Sequence, residues 1–363
     1  MTKILTVEEA NQFGAELDAV REKHVTQLGE RDAKHIRRMI KIQRFLGLTG
    51  RALLWFGFMP PMFIVTWPLG VLCLSIAKIM ENMEIGHNVM HGQYDWMNDP
   101  KLNSQTYDWD TVSDSDGWRY THNYEHHTYT NIIGKDRDVG YGVLRVSKDQ
   151  PWEPHHLLNP LTNVVLASGF DVGVGLHELE LGRVVKGEQS WSHVAVTGRK
   201  FLRKATRLWG KDYVIFPLLS GPNFLGVMAG NFAANLIRNF WSNMIIMCGH
   251  FPGEAQTYEY DKAVLETETR GQWYVRQMNG SANIEGGKVF HILSGHLSHQ
   301  IEHHLFPDVP AHRYTEMAPA VRKICKKYGQ HYETGRFFKQ YGSFLGKVFK
   351  YTLPSRKQKL SAA

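Results

Sequence analysis

The chain has 363 residues, with 42 Lys and Arg against 35 Asp and Glu for a formal charge of +7, and it holds 19 histidines. Cys73, Cys248 and Cys325 are too few and too scattered for a disulfide framework or a cysteine-based zinc site, which excludes small secreted scaffolds and fits a reducing or membrane environment. The basic balance is compatible with nucleic acid, anionic lipid or an acidic substrate such as a coenzyme A ester, and by itself selects none of them.

Residues 1–44 read as a water-exposed helical arm. They are polar and charged, without the apolar core and cleavage site of a secretory leader. Thr6 and Glu9 have the spacing of a capping box for the segment that begins "TVEEANQF". An apolar region follows, and Ala52 to Ala77 carries no charge. It is too long for one membrane crossing and is interrupted at Pro60-Pro61 and at "WPLG" (67–70), so the reading is a hairpin of two spans, about 45–66 and 67–85. A second uncharged stretch starts at Tyr213 and has Arg238 as its first charge. With a bend at "AGN" (229–231) it gives a second hairpin, about 213–229 and 231–249. Residues 45–345 then form one membrane domain, and 346–363 a basic C-terminal tail.

Cations precede both hairpins: Arg37, Arg38, Lys41 and Arg44 before the first, Lys200, Arg203, Lys204, Arg207 and Lys211 before the second. Positive loops stay cytoplasmic, which puts both termini and both long polar sections on that side. The expected fold is an all-α integral membrane protein, with four transmembrane helices in two hairpins and a cytoplasmic helical cap. The competing reading is a large soluble protein whose buried helices are apolar all round.

Histidine is concentrated in three motifs: "HNVMH" (87–91), "HNYEHH" (122–127) and "HQIEHH" (299–304). On a helix a spacing of four puts two imidazoles on one face, a turn apart, as for His87 with His91 and His122 with His126. The doublets His126-His127 and His303-His304 point about 100° apart, so their members can serve different ions. A structural zinc needs four ligands. The larger number here argues for two ions with open coordination positions. Imidazole suits zinc, iron, copper or nickel. A zinc peptidase is excluded, because "HELEL" (177–181) has Leu181 where HExxH needs histidine. Two redox-active irons at a membrane surface would suit dioxygen activation against a lipid C–H bond. Glu84, Glu125, Glu302 and Asp138 are candidates to orient the imidazoles, and Trp118 to line an acyl tunnel.

The order HxxxH, HxxxHH, QxxHH, with the strings "WRYTHNYEHHTYTN", "GKDRDVGYGVLR" and "GHLSHQIEHHLFPDVPAHRY", resembles the membrane fatty acid desaturase family, and in particular its bacterial acyl desaturases. The resemblance covers about residues 45–340. It implies iron ligands at His87 and His91, at His122, His126 and His127, and at His303 and His304, with His250 in "CGHFP" as a further ligand. His299 is an extra candidate ligand, while Gln300 and His296 are expected beside the ligands. It also implies two iron ions with O2 as co-substrate, and a cis double bond introduced into the acyl chain of an acyl-CoA or a membrane lipid. No HPGG haem motif of a fused cytochrome b5 is present. Two electrons are therefore expected from a separate ferredoxin, cytochrome b5 or flavin reductase. Membrane lipids are expected partners and nucleic acid is not. The implied location is the bacterial inner membrane, with the active site facing the cytoplasm. Two rivals stay open on the sequence: a lipid hydroxylase or ketolase with the same ligands, and a non-enzymatic histidine-rich metal carrier. Double-bond position and chain length stay open as well.

Overall fold

Thr6 takes extended backbone, its hydroxyl accepts from the Glu9 amide, and the Glu9 carboxylate accepts from the Thr6 amide at 3.0 Å, so the capping box opens helix α1 (Val7–Val25) as expected. The computed structural model describes residues 3–57 and 61–354, which are mostly helical. They divide into two compact units. One holds the chain up to Glu30, Tyr120–Val165 and the chain from Met244 onward; the other holds Arg31–Arg119 and Leu166–Asn243.

In the first unit α1 buries Phe13 and Leu17 against Tyr274 and Met278 of helix Arg270–Asn279 and Met317 and Val321 of helix Tyr314–Lys327. A Cβ on Gly14 would stand 2.9 Å from Gly271 Cα, and one on Gly271 would stand 2.0 Å from the Ala10 carbonyl oxygen. The helices thus meet backbone to backbone, which only glycine permits at these positions. Two short strands, β1 (Asn283–Glu285) and β2 (Thr334–Arg336), pair in parallel with Asn283 opposite Thr334. They tie the segment before the third histidine motif to the C-terminal helix Phe337–Lys350.

In the second unit α2 (Glu30–Phe56) and α3 (Phe63–Ile79) run antiparallel. Gly57 faces Thr66, and a Cβ on Gly50 would lie 2.8 Å from the Leu74 amide nitrogen. Small residues at this crossing let the backbones approach, the usual device between membrane helices. Leu54, Val71, Leu74, Val227 and Ala234 form the core beside it.

Several expectations need correction. "WPLG" is no turn: it lies inside α3, with Pro68 in the helix, and the chain reverses between Phe56 and Phe63. Pro60 falls outside the described residues. "AGN" (229–231) is no bend either, since it lies inside the helix Phe224–His250. The break comes earlier, at Gly221–Asn223, where Gly221 takes a φ of +58° that favours glycine and Pro222 follows. The C-terminal segment from 346 is helical up to Lys350, and 355–363 lie outside the described residues.

Among the described residues, Phe63–Met90 is the continuous helix long and apolar enough to cross a membrane, and the sharply bent pair Pro154–Ser168 and Phe170–Val185 qualifies when taken together. The α-helical character is as expected, while four individually qualifying spans are not found. The reason is polar content: α2 carries Arg37, Arg38, Lys41, Arg44 and Arg51, and Phe224–His250 carries Asn231, Asn235, Arg238, Asn239 and Asn243. The cations before the second hairpin are also engaged locally. Arg207 reaches Asp108 at 2.9 Å, Lys211 reaches Asp110 at 2.9 Å, Lys200 reaches Asp114 at 3.2 Å, and Lys204 pairs with Asp108.

Candidate metal centre

The first histidine motif belongs to the second unit. Beyond Ile79, α3 continues through a wide π turn, Met80–His87, into Asn88–Met90. The His91 amide bonds the His87 carbonyl at 3.1 Å, and the two rings lie 4.5 Å apart. Trp118 meets both edge-on, at 5.6 Å from each, and packs with Met90 and Trp109. The expected tunnel residue therefore sits against the imidazoles of this motif. Glu84 is buried, with its Oε1 2.8 Å from His35 Nε2, and Asn88 Oδ1 lies 3.1 Å from His87 Nδ1.

The second motif, in the first unit, is also built on a π turn, Arg119–His126, followed by His127–Tyr129. A π turn is wider than an α turn, so positions four and five residues on both fall near the starting face. His122 accordingly stacks on His126 at 5.0 Å and meets His127 edge-on at 5.1 Å. The sequence reading assumed an α-helix and missed this. Such local widening recurs at functional sites because it re-aims side chains.

Asp136, which the sequence reading passed over in favour of its neighbour Asp138, fixes His126. Both of its carboxylate oxygens lie 3.0 Å from His126 Nδ1, and it also accepts from the amides of Asn131 and Asp138 at 2.7 and 2.9 Å. A carboxylate only accepts, so the His126 proton sits on Nδ1 and Nε2 keeps its lone pair. Burial works against a charged imidazole here, yet the Asp136 carboxylate outweighs it and raises the His126 pKa, which makes Nε2 a better donor to a cation. Asp138 lies 3.3 Å from His122 Nδ1. Glu125 accepts from Arg137 at 2.6 Å instead.

In the third motif, helix Gln300–Leu305 buries His303 and His304 completely. His304 stacks on His127 at 4.5 Å, and His303 meets His127 edge-on at 4.8 Å. His250, at the end of helix Phe224–His250, lies 4.6 Å from His126 and 4.8 Å from His304, and Gln300 bonds its Nε2 at 3.0 Å. Ligand nitrogens of His126, His250 and His304 gather within 4.8 Å of one another, as do those of His127, His303 and His304; a third group joins His122 and His126 to Asp138. His126 Nε2 and His304 Nε2 are buried with no hydrogen-bond partner. Such atoms are costly to bury and are explained by a cation they ligate. The neutral nitrogen donors fit a transition metal.

Two other expectations land elsewhere. His299 lies in none of these groups; its ring sits 4.7 Å from His291, and burial with the neighbouring imidazoles pushes its pKa down to about 3. His296 takes a left-handed backbone, φ 58°, with its ring 6.4 Å from His291. Glu302 points away from its neighbouring doublet to accept from Asn283 at 2.9 Å and Tyr332 at 2.7 Å, and burial pushes its pKa up to about 7. Asn283 Oδ1 also accepts from the Ile301 amide, so this network anchors the third motif's helix.

Residues 65–336 match the family model described as fatty acid desaturase. The chain belongs to the fatty acid desaturase family. It is 47% identical over 356 residues to an NADPH-dependent stearoyl-CoA 9-desaturase of Mycobacterium tuberculosis, covering 97% of this chain and 82% of that protein. It is 27% identical over 297 residues to an sn-1 linoleoyl-lipid 6-desaturase of Synechocystis, covering 78% of this chain and 79% of that one. It is 27% identical over 235 residues to human fatty acid desaturase 3, covering 61% of this chain and 46% of that one. The desaturase family member is thus an oxidoreductase acting on fatty acyl chains, and its clustered histidines are grouped closely enough to hold a metal ion.

Proposed function

We propose that this desaturase introduces one cis double bond into a saturated fatty acyl-CoA of about the length of a stearoyl chain. The observation that carries the reading is the pair of buried, unpartnered Nε2 atoms on His126 and His304, which gather with His250, beside a neighbouring group on His127, His303 and His304. Two adjacent groups that share a histidine support a pair of ions, and iron is the proposed metal. Bound iron would supply the activation of O2 that an unreactive methylene requires.

The protein's own residues hold and orient the donors. Asp136 keeps the His126 proton on Nδ1, and the Gln300 amide nitrogen donates to His250 Nε2. His87, His91 and His122 are proposed to serve the same chemistry, on the strength of the three-motif pattern. His299 is left out because its ring packs with His291. The reaction balances when the acyl chain gives up two hydrogens and O2 is reduced to two waters with two further electrons and two protons. Those electrons are assigned to a separate donor protein and ultimately to a reduced nicotinamide, which the name of the Mycobacterium relative favours. The preference for a coenzyme A ester over a membrane lipid rests on the same relative.

We further infer that the chain is integral to a bacterial inner membrane, its metal centre facing the cytoplasm, with four helical crossings in two hairpins. Besides Phe63–Met90, the exposed apolar side chains Phe45, Leu48 and Phe56 on α2 and Leu225, Phe232 and Ile237 on Phe224–His250 support this, since water would penalise them and lipid would not.

The test is to supply the purified protein with stearoyl-CoA, NADPH, a reductase system and labelled O2, and to locate any new double bond by mass spectrometry, with His126→Ala as control. An alkene without label supports the reading. A labelled hydroxyl product, or unchanged acyl chains with a working donor, rejects it.

A further inference from the structure

Gln277 stands outside the three histidine motifs, fully buried in helix Arg270–Asn279. Its Nε2 donates to the His127 carbonyl oxygen at 2.9 Å. A carbonyl only accepts, so the orientation of this amide is settled: nitrogen toward His127, oxygen the other way. That oxygen lies 2.8 Å from His304 Nδ1. It too only accepts, so the His304 proton must sit on Nδ1, and Nε2 is left with its lone pair. His304 Nε2 is the buried atom that lacks a hydrogen-bond partner, and His304 belongs to both histidine groups. Thr130 Oγ1 lies 2.7 Å from the same Gln277 oxygen and 2.6 Å from the His126 carbonyl, which further restrains the amide.

We propose that Gln277 is a positioning residue that transmits the backbone of the second motif to the third, using the His127 carbonyl to fix the tautomer of His304 and so aim its Nε2. Asp136 does the corresponding task for His126 with a charge; Gln277 does it with a neutral amide, in a place where a second carboxylate would add a buried negative charge. The consequence is that the two motifs are preset relative to each other before any metal enters. This inference rests on the reading that His304 is a metal ligand.

The test uses the full chain, stripped of metal and titrated with cobalt(II), whose visible absorption reports the ligand set. Metal-binding sites typically lose 10–100-fold in affinity when such a supporting contact is removed. The expected results are cobalt binding by the unaltered protein, a 10–100-fold weaker affinity with an altered spectrum for Gln277→Leu, and recovery to within a few-fold for Gln277→Glu, whose protonated carboxyl repeats both contacts. Thermal unfolding of the metal-free proteins separates a purely structural role. If Gln277→Leu lowers that unfolding temperature while its folded fraction keeps the affinity and spectrum of the unaltered protein, the inference is overturned. If the unaltered protein takes up no cobalt, the metal-centre reading itself falls, and this inference with it.

Discussion

Two histidine groups of the first unit make an instructive contrast. In one, His126 and His304 each donate Nδ1–H to a named acceptor, Asp136 and Gln277, while Nε2 is bare, and the Gln300 amide nitrogen faces Nε2 of the neighbouring His250. In the other, the His291 ring packs against His296 at 6.4 Å and His299 at 4.7 Å, and Ser298 Oγ lies 2.8 Å from His291 Nδ1. Imidazole density is similar and the chemistry is not. A ring whose proton is fixed on one nitrogen by an acceptor presents the other as a ligand, whereas rings that pack on one another serve packing.

The contrast breaks most visibly at a ligand. His126→Ala or His304→Ala is expected to abolish desaturation and to leave purified protein with at most half the metal of the unaltered enzyme, measured by elemental analysis. The next largest effect is at an anchor: Asp136→Asn keeps an acceptor but loses the charge, and should weaken metal binding by about 10–100-fold. A competitive chelator titration checks this; an unchanged affinity would mean that the carboxylate does not tune His126.

A smaller effect concerns stability. The pKa of Glu302 is pushed up to about 7 by burial, above its ordinary 4.5, so the folded protein keeps a proton that the unfolded chain releases. Stability should therefore fall as pH rises from about 4.5 to about 7, by no more than about 3 kcal/mol. Glu302→Gln should flatten that slope in thermal unfolding scans, and a slope of the same size in the variant would remove Glu302 as its source. The smallest effect is expected in the second histidine group, where His299→Gln should leave metal content unchanged and activity within about two-fold, a size in keeping with a residue outside the ligand and anchor shells. A ligand-like loss there would erase the distinction.

Much of this was legible in the sequence. The motif spacings and their order announced a histidine metal site, and Thr6 with Glu9 announced the first helix start, because both signals are local. The reversals were misplaced because Pro68 is accommodated within α3 and Gly221-Pro222, not "AGN", breaks the second helix. The anchors escaped for a different reason. Asp136 and Gln277 act across ten and twenty-seven residues respectively, on His126 and His304. No periodicity links such pairs. The string "DRD" (136–138) offered a signal for Asp136, and for Gln277 there was none beyond its polarity in an otherwise amphipathic helix.

The central claim is that His126 and His304 present bare Nε2 atoms, together with the His250 ring, to one metal ion. A crystal or cryo-electron-microscopy structure of the iron-loaded protein, with the metal located by anomalous scattering in the former, tests it most directly. The account predicts an ion at bonding distance, about 2 Å, from His126 Nε2, His304 Nε2 and a ring nitrogen of His250. An ion held elsewhere, with these three nitrogens bonded to water or to protein, would contradict it.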